Sequence, residues 1–311
     1  MFGCLRRIAW SIALFHVLYR CEVAAKMSCY AKMLKQNVYK GLCGDLEYEE
    51  PEGEVLKKVS SLARVIRGSG RVLIHTGAGI STACGVPDFR GPQGVWTLEH
   101  KGLVNDKAVS FEEAVPSFAH RAIVALMRAG IVQHVVTQNV DGLHLRSGVP
   151  RSKLSEIHGS AFAELCEDCG VEVVRDWEVG SIGLKKTGNS CEACGGDLRD
   201  RLCDWDSILP EDEMERAIEE HKKADLVIVL GSSLRIRPAG NFPMRTKRKN
   251  GKAQEGKIVI VNLQKTHLDK NCDLRFFARI DLVMKHLMKE LGIEVLECQQ
   301  MNKEKTRGTE C

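Results

Sequence analysis

Several features that would narrow the reading at once are missing. The formal net charge is only +4 at pH 7 over 311 residues, so charge neither demands nor excludes an acidic partner such as nucleic acid. No internal repeat or low-complexity tract is present, which excludes a repeat architecture. The longest apolar stretch near the N-terminus, Ile8 to Tyr19, is too short for a membrane span. There are thirteen cysteines, but four sit in two C-x-x-C pairs and the rest scatter along the chain. The dense, even-numbered spacing of a small secreted disulfide scaffold is therefore lacking, and a reducing compartment fits better.

What is present is ordinary for a soluble globular enzyme: 44% hydrophobic and 28% charged residues, in a chain long enough for one large domain or a large one with a satellite. The first 26 residues stand apart. Arg6 and Arg7, the apolar stretch and the small pair Ala24 and Ala25 have the layout of a secretory signal. Secretion conflicts with reduced thiols, and the preferred reading is an upstream extension with translation starting at Met27. Membrane attachment is expected only if residues 1–26 are retained.

Four short runs rich in Val and Ile read as buried parallel strands: Arg71 to His75, Val132 to Asn139, Ala224 to Ser233 and Lys257 to Gln264. Helical patterns lie between them. Val55, Leu56, Val59, Leu62, Ala63 and Ile66 share one face, with Gly68 as a stop. A second helix starts at Pro210 with three acids and ends in His221, Lys222 and Lys223, matching the helix dipole. A third carries Ile280, Val283, Met284, Leu287, Met288 and Leu291 and closes at Gly292. The alternation predicts an α/β fold, a Rossmann-like doubly wound parallel sheet, with ligands bound beyond the carboxyl ends of the strands.

At the end of the first run stands "HTGAGISTACGVPDFRG", His75 to Gly91. Gly77 and Gly79 let the backbone turn tightly and approach a pyrophosphate held by the amides of a following helix. The third glycine of the usual fingerprint is replaced by Thr82, so the turn alone is equally consistent with a plain tight turn. Asp88, Phe89, Arg90 and Trp96 follow in a loop, where an aromatic and a lone Arg point to a site lining; the alternative is that Phe89 and Trp96 tuck into the core.

Cys166 with Cys169 and Cys191 with Cys194, separated by residues 170–190, have zinc-ligand spacing. Four thiolates leave no open coordination position, so one structural zinc is expected to fold a small lobe. Glu164, Glu167, Asp168, Glu192 and Asp197 crowd the same segment, which disfavours phosphate contact there. His158 lies between the second strand and this lobe; imidazole titrates near neutrality and so suits a base, but taken alone any one of the ten histidines reads rather as a surface or satisfied core residue.

The ordered motifs "GAGIS" (77–81), "PDFRG" (87–91), "TQNVDGLH" (137–144), "HG" (158–159), the two C-x-x-C pairs, "GSS" (231–233) and "VNLQ" (261–264) resemble the sirtuin family of NAD-dependent protein deacylases. The likeness spans about Leu56 to Leu291 and is nearest the chromatin-associated branch typified by sirtuin 6. It implies catalysis by His158, Asn139 and Asp141, with Gln138, Asn139 and Asp141 on the nicotinamide ribose and carboxamide; the alternative for these three is a strand end capped by an Asn/Asp turn. It implies NAD contacts from Gly77, Ala78, Gly79, Ser81, Thr82, Asp88, Phe89, Arg90 and Trp96, from Gly231, Ser232 and Ser233, and, on the adenosine side, from Asn262, Leu263, Gln264 and Ile280. Trp205, Leu234 and Ile236 would meet an extended peptide carrying the acyl-lysine.

By the same resemblance the cofactors are NAD and one structural zinc, the partners are acylated lysines in proteins such as histone tails, and the location is the nucleus, on chromatin. Protein mono-ADP-ribosyl transfer and a chromatin scaffold with negligible turnover remain alternatives. The expected organisation is an arm at 27–52, an NAD-binding domain from 53–160 and 205–295, a zinc lobe at 161–204, and a polar tail at 296–311. Departures from the family pattern are Ser160 after "HG" and Phe277 and Ala278 near the end. The basic stretch 245–252 reads as a solvated loop, with a nuclear signal or DNA-facing loop as the alternative.

Overall fold

The computed structural model describes residues 30–35, 40–249, 252–253 and 255–297. The signal-like or upstream segment 1–26, the first residues of the arm and the tail from 298 lie outside the described residues, as does part of the basic stretch.

A short helix α1 (Tyr30–Met33) lies in the arm, followed by α2 (Glu52–Arg67), β1 (Val72–Thr76), α3 (Val95–His100), α4 (Phe118–Arg128), β2 (Val132–Thr137), α5 (Leu143–Ser147) and β3 (Leu154–Glu156). An excursion of four strands comes next: β4 (Gly159–Cys166), β5 (Glu172–Val174), β6 (Lys186–Ser190) and β7 (Asp197–Leu202). The chain then returns through α6 (Glu211–Lys223), β8 (Leu226–Leu230), a 3-10 segment (Ala239–Lys247), the small hairpin β9 (Arg248–Lys249) and β10 (Lys252–Ala253), β11 (Lys257–Val261), β12 (Leu274–Phe276) and α7 (Ile280–Leu291).

The main sheet runs β12-β11-β8-β1-β2-β3 with every neighbour parallel. The chain builds outward from β1 in one direction and from β8 in the other, so the order reverses between these two strands and opens a crevice at their carboxyl ends. All four predicted strands are present. Each is mostly apolar because helices cover both faces: α2, α4 and α7 on one, α6 and the 3-10 segment on the other.

On α2, Val55, Val59, Leu62, Ala63 and Ile66 are buried as the period requires, the larger side chains each favouring the fold by roughly 1.5–3 kcal/mol. Leu56, assigned to that face, is instead 44% exposed. One residue on from Val55 it is rotated about 100° around the axis, beyond the edge of the stripe. Gly68 caps α2 with φ −91°, a conformation open to any residue. Gly292 after α7 has φ 68°, the left-handed cap that favours glycine. His221, expected as a cation at the end of α6, is fully buried and its pKa is pushed down to about 4, chiefly by burial, so it does not carry the charge assigned to it.

The four-strand excursion forms a separate antiparallel sheet, β5-β4-β7-β6. Its first strand begins at Gly159, two residues ahead of the expected start of the lobe. The cluster of buried apolar residues in its outer part is only Cys166, Cys191 and Leu198, with Val173 packed alongside. A core that small needs a cross-link. Glu164, counted among the acids around the cysteines, turns inward and accepts from Arg175 Nε at 2.7 Å and Asn189 Nδ2 at 2.8 Å. Among the described residues, no helix is long and apolar enough to cross a membrane.

Candidate active site

Beyond the carboxyl ends of β1, β2, β8 and β11 lies a cavity of about 1130 Å³. The helix expected after the Gly-Ala-Gly turn is absent; two 3-10 turns, Ala78–Ile80 and Thr82–Cys84, take its place. The glycines serve a contact within the protein. A Cβ on Gly79 would lie 2.9 Å from the Gly231 backbone, and Gly231 itself has φ +68° with Ile80 N 2.5 Å from its own would-be Cβ. Gly79 N–H donates to the Gly231 carbonyl at 2.9 Å, and Gly77 N–H to that of Leu230 at 3.1 Å. The loops after β1 and β8 are thus laid backbone against backbone, which no larger residue allows.

Asp141 and Asn139 tie these loops to the end of β2. Asp141 is buried and accepts from Ser81 Oγ at 2.6 Å and from Leu143 N–H at 3.0 Å, one bond to each oxygen. Burial raises its pKa, and those bonds oppose the rise. Asn139 Nδ2 donates to the Gly77 carbonyl at 3.2 Å and to Ser81 Oγ at 3.3 Å. Of the three residues expected to be catalytic, these two are held within the wall.

His158 differs. Its Nδ1 lies 3.0 Å from the Gln138 carbonyl, which can only accept, so the neutral ring carries its proton on Nδ1 and keeps a lone pair on Nε2. Burial lowers its pKa below 6.5, with the Gln138 carbonyl opposing, so the ring is neutral at pH 7. His158 lines the cavity. Gly159, next in the chain, has φ +80°, and a Cβ there would stand 1.7 Å from the Arg201 carbonyl. On the return crossing Cys203 N–H donates to the His158 carbonyl at 3.1 Å.

The far wall is aromatic. Phe89 and Trp96 stand with ring centroids 4.7 Å apart, Trp96 and Trp205 5.3 Å apart, and the Arg90 guanidinium lies 4.5 Å from the Trp96 centroid. Asp88 folds this loop by accepting from Gly91 N–H at 2.9 Å. Trp96, expected in a loop, stands instead in the first turn of α3, where it is both buried and a lining residue, so the core and site readings are not exclusive. Gly77, Ala78, Gly79, Ser81, Thr82, Gln138, Ser232, Ser233 and Ile236 also line the cavity, as do Asn262, Leu263, Gln264 and Ile280.

Leu234, expected to meet substrate, does not line it. Its φ of 57° turns the side chain down into the core beside Val229 and Phe242, where it is 1% exposed.

The sequence reading missed the arm's part in the site. Tyr30 and Glu47 line the cavity, Tyr48 N–H donates to the Leu263 carbonyl at 2.9 Å, and Gln264 Nε2 donates to the Asp45 carbonyl at 2.9 Å. These pairings are long-range, and no local pattern announces them. Arg235 is a further lining residue and is ion-paired with Asp45.

The four cysteine sulfurs lie within 4.8 Å of one another. Cys166 and Cys194 are 3.4 Å apart and Cys169 and Cys191 3.7 Å, too long for disulfides and close to the about 3.8 Å edge of a tetrahedron with 2.3 Å zinc–sulfur bonds. Backbone N–H groups of Cys169 and Asp168 favour the thiolate of Cys166, while hydrogen bonds among the sulfurs push Cys169 and Cys194 up, so a metal binding here would displace their protons. The cluster fits one closed-shell zinc ion.

Residues 101–238 match the Sir2 family. The Drosophila melanogaster NAD-dependent protein deacetylase Sirt6 is 42% identical over 281 residues, covering 87% of this chain and 87% of that one. The chain belongs to the sirtuin (Sir2) family. The Arabidopsis thaliana NAD-dependent protein deacetylase SRT1 is 46% identical over 269 residues, but the chain spans only 56% of that sirtuin's length. A solved sirtuin, Sir2 with a p53 peptide and NAD+, superposes with TM-score 0.57 at 29% identity, over 75% of this chain and 98% of that one. The main sheet is thus the sirtuin Rossmann-like sheet, and the cysteine-bearing sheet is its zinc lobe.

Proposed function

We propose that this sirtuin is an NAD-dependent protein-lysine deacylase, releasing nicotinamide and O-acyl-ADP-ribose. The observation that carries the reading is the neutral, Nδ1-protonated imidazole of His158 on the wall of a crevice that glycine loops and an aromatic wall enclose. The names of the relatives, and the NAD and peptide in the solved sirtuin, support it.

NAD is here a substrate that supplies an electrophilic anomeric carbon. The chain's own residues do the rest. Gly77, Ala78 and Gly79 and Gly231 to Ser233 form the floor for the phosphates and ribose, and Asn262, Leu263 and Gln264 the adenosine end. Phe89, Arg90 and Trp96 shield the nicotinamide side from water. Holding a weakly nucleophilic amide oxygen next to that carbon supplies most of the acceleration. Nε2 of His158 takes the proton of a ribose hydroxyl, and Asn139 and Asp141 hold the loop that presents the ring. Trp205 and Ile236 flank the peptide.

The proposed organisation keeps the NAD-binding domain and the zinc lobe of the sequence reading, with the lobe begun at Gly159: 53–158 and 205–295 for the first, 159–204 for the second. Acylated histone tails as substrates and a nuclear, chromatin-associated location are proposals drawn from likeness to the Sirt6 relative. The test is to incubate the protein with NAD and histone peptides of several acyl lengths and weigh the products. O-acyl-ADP-ribose and free lysine peptide support the reading; ADP-ribose attached to protein, or no nicotinamide at any acyl length, overturns it.

A further inference from the structure

Behind the Gln138 side chain lies a pair of histidines with no part in the chemistry above. His75 in β1 and His221 in the last turn of α6 are both 0% exposed, with ring centroids 5.2 Å apart. Their hydrogen bonds have a polarity that one backbone atom decides. The Ala217 carbonyl can only accept, so His221, 2.7 Å away at Nδ1, carries its proton there. A neutral His221 then offers only a lone pair at Nε2, and His75 Nδ1 must donate to it across 3.2 Å. That leaves His75 Nε2 as an acceptor, 2.9 Å from the Gln138 amide nitrogen. The second amide proton of Gln138 goes to Ser232 Oγ at 2.6 Å.

Both rings are neutral. Burial pushes His75 well below its ordinary pKa, with His221 and His158 adding to the effect. Burial does the same to His221, against the Ala217 carbonyl and Glu220 and together with His134 and Arg245. Both N–H groups of Gln138 are therefore engaged in the wall, and its amide oxygen is the end left for the cavity it lines.

We infer that His75, backed by His221, is a positioning residue that fixes the rotation of the Gln138 amide so that an acceptor oxygen meets a sugar hydroxyl of the bound dinucleotide. The inference rests on the NAD reading above. Its chemistry is one of matched polarity: a rotated amide would present its N–H groups to a hydroxyl whose proton then has no acceptor, and a buried unpaired donor is costly. The chain of obligate donors from Ala217 makes that rotation unfavourable.

The experiment compares NAD with analogues lacking one or other nicotinamide-ribose hydroxyl, by calorimetry on the full chain without peptide. Wild type is expected to bind one deoxy analogue about tenfold more weakly than NAD. In His75→Leu, which removes the acceptor, that ratio is expected to fall close to one; in His75→Gln, whose amide oxygen can accept in the same place, it returns to within about threefold of wild type. A merely structural role would weaken NAD and analogue alike and leave the ratio unchanged, which overturns the inference. If wild type binds no NAD, both readings fail; if it does and His75→Leu keeps the ratio, only this one does. Should His75→Leu not fold, the nitrogen-15 shifts of wild type decide: Nδ1–H tautomers for His75 and His221 at pH 7 support the inference, and an Nε2–H or charged ring at either position overturns it.

Discussion

His158 donates its Nδ1–H to the Gln138 carbonyl at 3.0 Å, so the backbone that ends β2 sets both the tautomer and the tilt of the ring. If Nε2 is the base, His158→Ala should lower kcat/KM roughly 10²- to 10⁴-fold while the thermal midpoint moves little. Steady-state kinetics beside a melting curve check this, and a loss under about tenfold would remove the ring from the chemistry.

Zinc is expected at one ion per chain by elemental analysis. Because the apolar cluster around the cysteines is so small, Cys191→Ser or a strong chelator should melt the lobe at a lower temperature than the parallel sheet. A Cys191→Ser protein that keeps full zinc and the wild-type melt would contradict the metal reading.

Gly159→Ala should be among the most damaging single-methyl additions. Its Cβ would lie 1.7 Å from the Arg201 carbonyl at φ +80°, so strand pairing between β4 and β7 must shift. A cost of about 3 kcal/mol or more is expected, read by urea unfolding. Less than about 1 kcal/mol would mean that the junction is softer than described.

Glu156 gives a pH dependence. Burial first, then the neighbouring carboxylates Glu172, Glu213 and Asp141 against Arg151, raise its pKa from 4.5 to about 8. As pH climbs from about 4.5 to about 8 the unfolded chain gives up this proton before the folded one does. Stability present at low pH is therefore lost through that window, by on the order of 5 kcal/mol. Glu156→Gln should flatten this fall; parallel stability–pH curves for the two proteins would exclude it.

Much of the sheet was legible because a strand covered on both faces is apolar at nearly every position, as "VLI" of β1 and "LVIVL" of β8 are. The three-residue strands β3 and β12 carry too little pattern to be read alone and are recruited by their neighbours. Ser117 and His120 cap α4 reciprocally, yet that helix escaped notice because its capping box uses His in place of the usual Glu.

At the site, lining residues clustered in motifs were readable, and orientation was not. Leu234 sits between Ser233 and Arg235, which both line the cavity, but one left-handed residue reverses its direction. His221 looked like a helix-end cation, although its spacing from Ala217 already placed it on the inner face of α6. The arm's contacts to Leu263 and Gln264 join segments more than two hundred residues apart and leave no local trace.

The chain leaves the parallel sheet at His158 and comes back at Cys203, whose amide grips the carbonyl of that same histidine. Displacing the thiolate-bearing sheet would pull on the backbone that carries this histidine from both crossings, while Gln138 still holds the ring itself. A chelator that loosens the lobe would on this account lower turnover from a distance, through the strand ends that meet at His158.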